Sequence, residues 1–346
     1  MNQEYETLAP AAMPRFPVLD GWRGISILLV MAGHLFPLGP PRFGINAATA
    51  ALGMAIFFTL SGFLITSTLL YRPRITEFLI RRLCRIVPAA WAFSAVALTF
   101  AAAPRSAYVA QFLFYSNLPP FWLTQYTGHL WSLGVEMQFY LAIALIFLLF
   151  KQRGLSSLPC LCVAVTAYRV YSHTTISIVT ILRVDEILVG GCLALVMHDP
   201  RALRLRQTLS RINPLSLMPL AFAACFSESG ALGYFRPYLV ATVIGTSLFQ
   251  ESSTTIPRWL QARWLVYVAA VSYSLYILHP VVTWGWLGSG SKLVKYIKRV
   301  PELAAVFGLA HLSTFYYEAF WIRTGKRWSH QLAKRSPTEA AIAIAE

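Results

Sequence analysis

Long apolar runs recur along the whole chain, and short basic stretches separate them. Runs of about 20 apolar residues match the hydrocarbon thickness of a bilayer. They predict spans at 19–38, 46–70, 84–103, 131–150, 157–172, 184–198, 214–227, 232–250, 265–287 and 301–323. The fifth to seventh are short, as expected of helices that are tilted, broken or partly buried against others. The expected fold class is all-α: a polytopic membrane protein of about ten transmembrane helices. One membrane domain, 1–335, takes nearly the whole chain, and the tail "SPTEAAIAIAE", 336–346, is expected to be disordered.

Composition agrees with this pattern. Charged residues make up 12%, hydrophobic residues 57%, and the mean hydropathy is +0.57. A soluble domain carries about a quarter charged residues. The net charge of +15 would suit nucleic acid, but its distribution argues against that partner, because the basic residues lie between apolar runs. Membrane lipids are the expected surroundings. Lys and Arg concentrate in cytoplasmic loops. The clusters Arg72–Arg85, Arg201–Arg211 and Arg323–Arg335 therefore place both termini in the cytoplasm, against one contrary cluster at Lys292–Arg299. Residues 1–17 lack the pattern of a cleavable signal, so the first run reads as a permanent span. The five cysteines read as small hydrophobes in helices. No metal cluster, Gly-rich phosphate loop or internal repeat is seen. The connection 104–130, aromatic and rich in proline, reads as an interfacial or re-entrant segment shaping a cavity.

Several ionisable groups lie inside these runs, where they are costly and usually functional. In "LDGWRGISILLVMAGHLF", Arg23 and His34 are eleven residues apart. At about 100° per residue they share one helix stripe, separated by roughly 16 Å along the axis. The stripe reads as one wall of a passage, with a cation at one end and an imidazole deeper in. The alternative is a snorkelling arginine and a histidine that caps a carbonyl. Glu136 lies at a depth matching that of His34, which makes the two an acid–base pair. His279 reaches the same half of the membrane. Arg183, Asp185 and Glu186 open the sixth span, as an ion-paired helix start or as part of that face. Arg82 and Arg85, at i and i+3, share a helix face and suit bidentate phosphate binding. The alternative there is ordinary anchoring at the membrane surface. Ser61-Gly62 is a small pair that admits another helix or a slender ligand.

Together these motifs resemble acyltransferase family 3, a family of integral membrane proteins. The resemblance rests on Leu19, Asp20, Arg23 and His34; on Phe57 through Leu64; and on Arg82, Arg85 and Pro88. It rests further on Trp131, Ser132, Leu133, Glu136, Gln138, Phe139 and Tyr140, and on Ser272, Tyr273, Leu275, Tyr276 and His279. The closing Tyr-x-x-Glu-x-Pro element is altered, keeping Glu318 but not the proline. The resemblance implies a membrane O-acyltransferase. Acetyl-CoA or another acyl-CoA is the donor, and no metal is needed. The acceptor is a hydroxyl of a surface or exported glycan or glycolipid, and the setting is the bacterial cytoplasmic (inner) membrane. His34 and Glu136 are the expected catalytic residues. Arg23, Ser61, Gly62, Arg82 and Arg85 are expected to hold the CoA. Asp20, Trp131, Tyr140, Arg183, Asp185, Tyr276 and His279 are the candidates for substrate contact. Acylation of a lipid or small hydrophobic metabolite is one alternative, and a proton-coupled transporter or flippase is another. Homo-oligomer formation stays open.

Overall fold

A computed structural model describes residues 16–342. Among these residues the fold is all helical, with no strand. The helices are α1 (Pro17–Leu35), α2 (Ile45–Tyr71), α3 (Ile75–Phe100), α4 (Arg105–Phe112), α5 (Trp131–Phe150), α6 (Leu158–Tyr171) and α7 (Asp185–His198). They continue with α8 (Leu203–Ser210), α9 (Pro214–Ala223), α10 (Leu232–Phe249), α11 (Thr255–Leu260), α12 (Arg263–Leu278), α13 (Lys292–Leu312) and α14 (Ala319–Ile342). Residues 343–346 of the expected tail lie outside the described residues.

Helices are what such runs must form, because the hydrocarbon offers backbone N–H and C=O groups no other partner. Five stretches are long and apolar enough to cross a membrane: Pro17–Leu35, Ile45–Tyr71, Ile75–Phe100, Gly128–Tyr171 and Arg263–Thr283. The other apolar runs form helices that are shorter or more polar. Two boundaries differ from expectation in ways that matter. α3 begins at Ile75, not near 84, so Arg81, Arg82 and Arg85 lie within the helix and its rotation aims them. The basic stretch Lys292–Arg299 is the start of α13, not a loop. The last expected span is the second half of α13, a π-helical turn at Ser313–Glu318 and the start of α14.

α2 is the central helix, with most of its 27 residues buried. Small residues let its neighbours come close. The Ser26 hydroxyl of α1 donates to the Gly53 carbonyl of α2 at 2.8 Å. On the opposite side α2 crosses α7 at Gly62 and Gly190. A Cβ on Gly62 would sit 1.8 Å from the Ile187 carbonyl oxygen, and one on Gly190 would sit 2.0 Å from that of Thr59. The segment before α5 is fastened from below by Gln138, which donates to the Phe114 carbonyl (2.8 Å) and to Asn117 Oδ1 (2.9 Å).

Candidate active site

Five helices each turn one stripe toward a common cavity. α1 contributes Arg23, Ser26, Ile27 and Val30; α2 contributes Met54, Phe57 and Ser61. α3 brings Arg82, Arg85 and Ile86; α5 brings Leu133, Glu136 and Tyr140; α12 brings Ser272, Tyr273 and Tyr276. Spacings of three, four and seven along a helix put side chains on one face, so the cavity follows from the register of each helix. Its volume is about 50 Å³.

The chemistry of the cavity is a buried carboxylate among guanidinium groups. Glu136 Oε1 accepts from the Ser61 hydroxyl at 2.9 Å and from the Tyr140 hydroxyl at 2.5 Å. The Arg82 guanidinium lies 6.0 Å from the Tyr140 ring centre and 5.7 Å from that of Phe78. Arg81, one residue earlier, faces away; it pairs with Glu77 and donates to Ser329 at 3.1 Å. Among the described residues neither Arg82 nor Arg85 forms an ion pair, although both are half-buried. With Arg23 they give the cavity more positive than negative charge, which suits an anionic ligand.

His34 lies at the other end of α1 and does not meet Glu136. Its Nδ1 is 2.9 Å from Nε2 of His279, and the two rings lie edge to edge, with centres 5.2 Å apart and planes within 8° of each other. His34 lines a second pocket with Asn46, Lys295 and Arg299. The expected pairing of His34 with Glu136 is thus replaced by two pairings, His34 with His279 and Glu136 with Ser61 and Tyr140. Depth along two helices fixes height in the membrane but not azimuth, and the azimuths differ. The cavity and the pocket at His34 share no lining residue. Tyr276 stands between them. It lines the cavity, its ring stacks on Phe57 at 6.4 Å, and its centre is 5.8 Å from that of His279. One layer of side chains therefore separates the cavity from the His34–His279 pair.

The remaining candidates fall elsewhere. Gly62 packs against α7 and does not line the cavity. Trp131 packs edge-on against Phe58 at 5.7 Å, under the Arg183 guanidinium at 5.4 Å. Arg183 and Asp185 do not reach the cavity. They belong to a buried ionic cluster in which Asp185 pairs with Arg169, and Glu186 with Arg183 (3.1 Å) and Arg236 (2.7 Å). Asp20 lies in the first turn of α1 and outside the cavity lining. Ser26 and His129 are not among the residues expected from sequence, and Phe57 and Tyr273 are expected only as motif residues with no site role. The first follows Arg23 by three residues and was legible from the stripe. His129, whose ring centre is 5.5 Å from that of His279, sits in a single 3₁₀ turn just before α5, too short to give a periodic signal. Among the described residues no group of three His, Cys, Asp or Glu is arranged to hold a metal ion.

A family model for an acyltransferase domain matches residues 16–318. The chain belongs to acyltransferase family 3. Its relatives include O-acetyltransferase OatA of Staphylococcus aureus (strain NCTC 8325 / PS 47), 27% identical over 336 residues. That match takes in 81% of this chain and 53% of the relative. Peptidoglycan O-acetyltransferase OatA of Listeria monocytogenes is 24% identical over 349 residues, with 87% and 55% covered. The chain thus spans about half the length of these curated relatives. No solved structure matches it.

Proposed function

We propose that the protein is a membrane O-acyltransferase that moves an acetyl group from cytoplasmic acetyl-CoA to a glycan hydroxyl. The relatives' names make peptidoglycan the first acceptor to test. The observation that carries the reading is the cavity of Arg23, Arg82 and Arg85 around buried Glu136, in a chain of this family. CoA phosphates dock on Arg82 and Arg85, and the pantetheine arm enters between α1 and α2 past Ser61. Both termini and the arginine end face the cytoplasm of a bacterial inner membrane, in about ten spans. The domain comprises residues 1–335, and residues 336–346 are a tail.

His34 takes the proton from the acceptor hydroxyl. The oxygen attacks the thioester carbonyl carbon, the C–S bond breaks, and the departing thiolate takes the proton from His34. Tyr276 must swing aside for the thioester to reach that point. A second reading has one observation in its favour: Glu136, not His34, lines the arginine cavity, so Glu136 would be the base.

Labelled acetyl-CoA, a peptidoglycan fragment and purified protein test both readings. His34→Ala is expected to lower transfer about 100-fold or more. Full transfer by His34→Ala would move the chemistry to Glu136. Passage of the glycan across vesicles without label would make the protein a transporter. Arg82→Ala and Arg85→Ala are each expected to raise KM for acetyl-CoA about tenfold or more, the worth of a charge-assisted hydrogen bond. Arg81→Ala is expected to leave that KM unchanged, because Arg81 is engaged with Glu77 and Ser329.

A further inference from the structure

The His34–His279 contact specifies where its protons are. His279 Nδ1 lies 2.8 Å from the backbone carbonyl oxygen of Tyr276. A carbonyl oxygen only accepts, so Nδ1 carries the proton and donates it. The His279 ring is fully buried, and no carboxylate is among its hydrogen-bond partners, so the uncharged ring is the form that fits. A neutral imidazole protonated at Nδ1 has a lone pair at Nε2. That lone pair faces His34 Nδ1 at 2.9 Å. His34 must then be the donor in this bond, with its proton on Nδ1. Its other nitrogen, Nε2, is left with a lone pair and no hydrogen-bond partner among the described residues, on a ring that lines the second pocket.

We propose that His279 is a positioning residue which, anchored on the Tyr276 carbonyl, holds His34 in the Nδ1–H tautomer and leaves His34 Nε2 free as the base. The hydrogen bond made by one ring nitrogen decides which nitrogen carries the proton. An imidazole without such a partner favours the Nε2–H form, whose proton would occupy the position needed for accepting one. The neighbouring groups keep His279 in place. The His129 ring packs against it at 77°, and His129 Nε2 is itself held at 3.2 Å from the Ile277 carbonyl. Sequence reading had placed His279 among the substrate contacts; buried behind His34, it acts on that ring instead.

The consequence for catalysis rests on the acyl-transfer reading, but the tautomer does not, and the test separates them. Protein labelled with ¹⁵N-histidine is reconstituted in lipid, and the His34 ring nitrogens are assigned by difference from His34→Ala. The wild-type spectrum is expected to show the Nδ1–H form at His34, and His279→Leu to shift it toward Nε2–H. Transfer is expected to fall about 100-fold or more in His279→Leu. It is expected to recover about tenfold in His279→Gln, whose amide oxygen can accept near the position of Nε2. A wild-type His34 protonated at Nε2, or a tautomer unmoved by His279→Leu, overturns the proposal whatever the transfer assay gives. A wild-type protein with no transfer activity overturns the acyl-transfer reading, and the nitrogen spectrum still decides the tautomer. The wild-type spectrum alone suffices if the leucine variant fails to fold.

Discussion

Gly62→Ala is expected to destabilise the protein by about 3 kcal/mol, at the upper end of what overpacking usually costs. The new methyl carbon would sit 1.8 Å from the Ile187 carbonyl oxygen, with the carbonyl carbon at 2.8 Å. Both are backbone atoms, so no rotamer change relieves the clash. α2 and α7 would have to separate, and close approach of small residues is what holds helices together when lipid is as apolar as the side chains. Separation would also loosen the reciprocal contact at Gly190 and the burial of Phe58, Phe63 and Ile187. The position of the cavity depends on this crossing, because Ser61 precedes Gly62 and holds Glu136. Gly53→Ala, with its nearest contact at 2.7 Å, is expected to cost less; Gly308→Ala, inside α13 with nothing within 4 Å, is expected to stabilise by up to about 1 kcal/mol through helix propensity. Unfolding in a denaturing detergent series would rank the three. Equal effects at 62 and 308 would show that the close approach at the crossing does not set the stability.

The same pair of residues shows what a sequence can and cannot convey. Ser61-Gly62 left two occupants open, a helix or a ligand. The structure assigns one to each residue, Gly62 to the helix and Ser61 to the cavity. Periodicity carried the stripes. Arg23 leads to Ser26 and Val30, Arg82 to Arg85, and Glu136 to Tyr140, and all of them line the cavity. What periodicity lacks is the relative rotation of two helices. Glu136 and His34 matched in depth but not in direction, so depth alone paired them wrongly. Arg183 and Asp185 take the other alternative, the ion-paired helix start: Arg183 pairs with Glu186 three residues on, a local pair. Asp185 pairs with Arg169 of α6, and Glu186 also with Arg236 of α10, and nothing local announces those two pairs.

Asp185→Leu is expected to cost about 3–5 kcal/mol, the usual result of removing one partner from a buried ion pair. Five side chains form the cluster, all at most 2% exposed: Arg169, Arg183, Asp185, Glu186 and Arg236. Two carboxylates face three guanidinium groups, and backbone oxygens supply the rest of the compensation. The Thr175 carbonyl accepts from both Arg169 and Arg236, and the Gly233 carbonyl accepts from Arg169 at 3.2 Å. Removing Asp185 leaves three cations around Glu186 alone. Arg169→Leu leaves two carboxylates with two arginines, so it is expected to cost less. The double variant Arg169→Leu/Asp185→Leu is expected to recover part of the loss, since a pair of apolar residues carries no uncompensated charge. Recovery stays partial because the Gly233 carbonyl loses its donor. Thermal unfolding in lipid-detergent micelles would give the four corners of this cycle. Additive losses in the double variant would mean that Arg169 and Asp185 do not act as a pair.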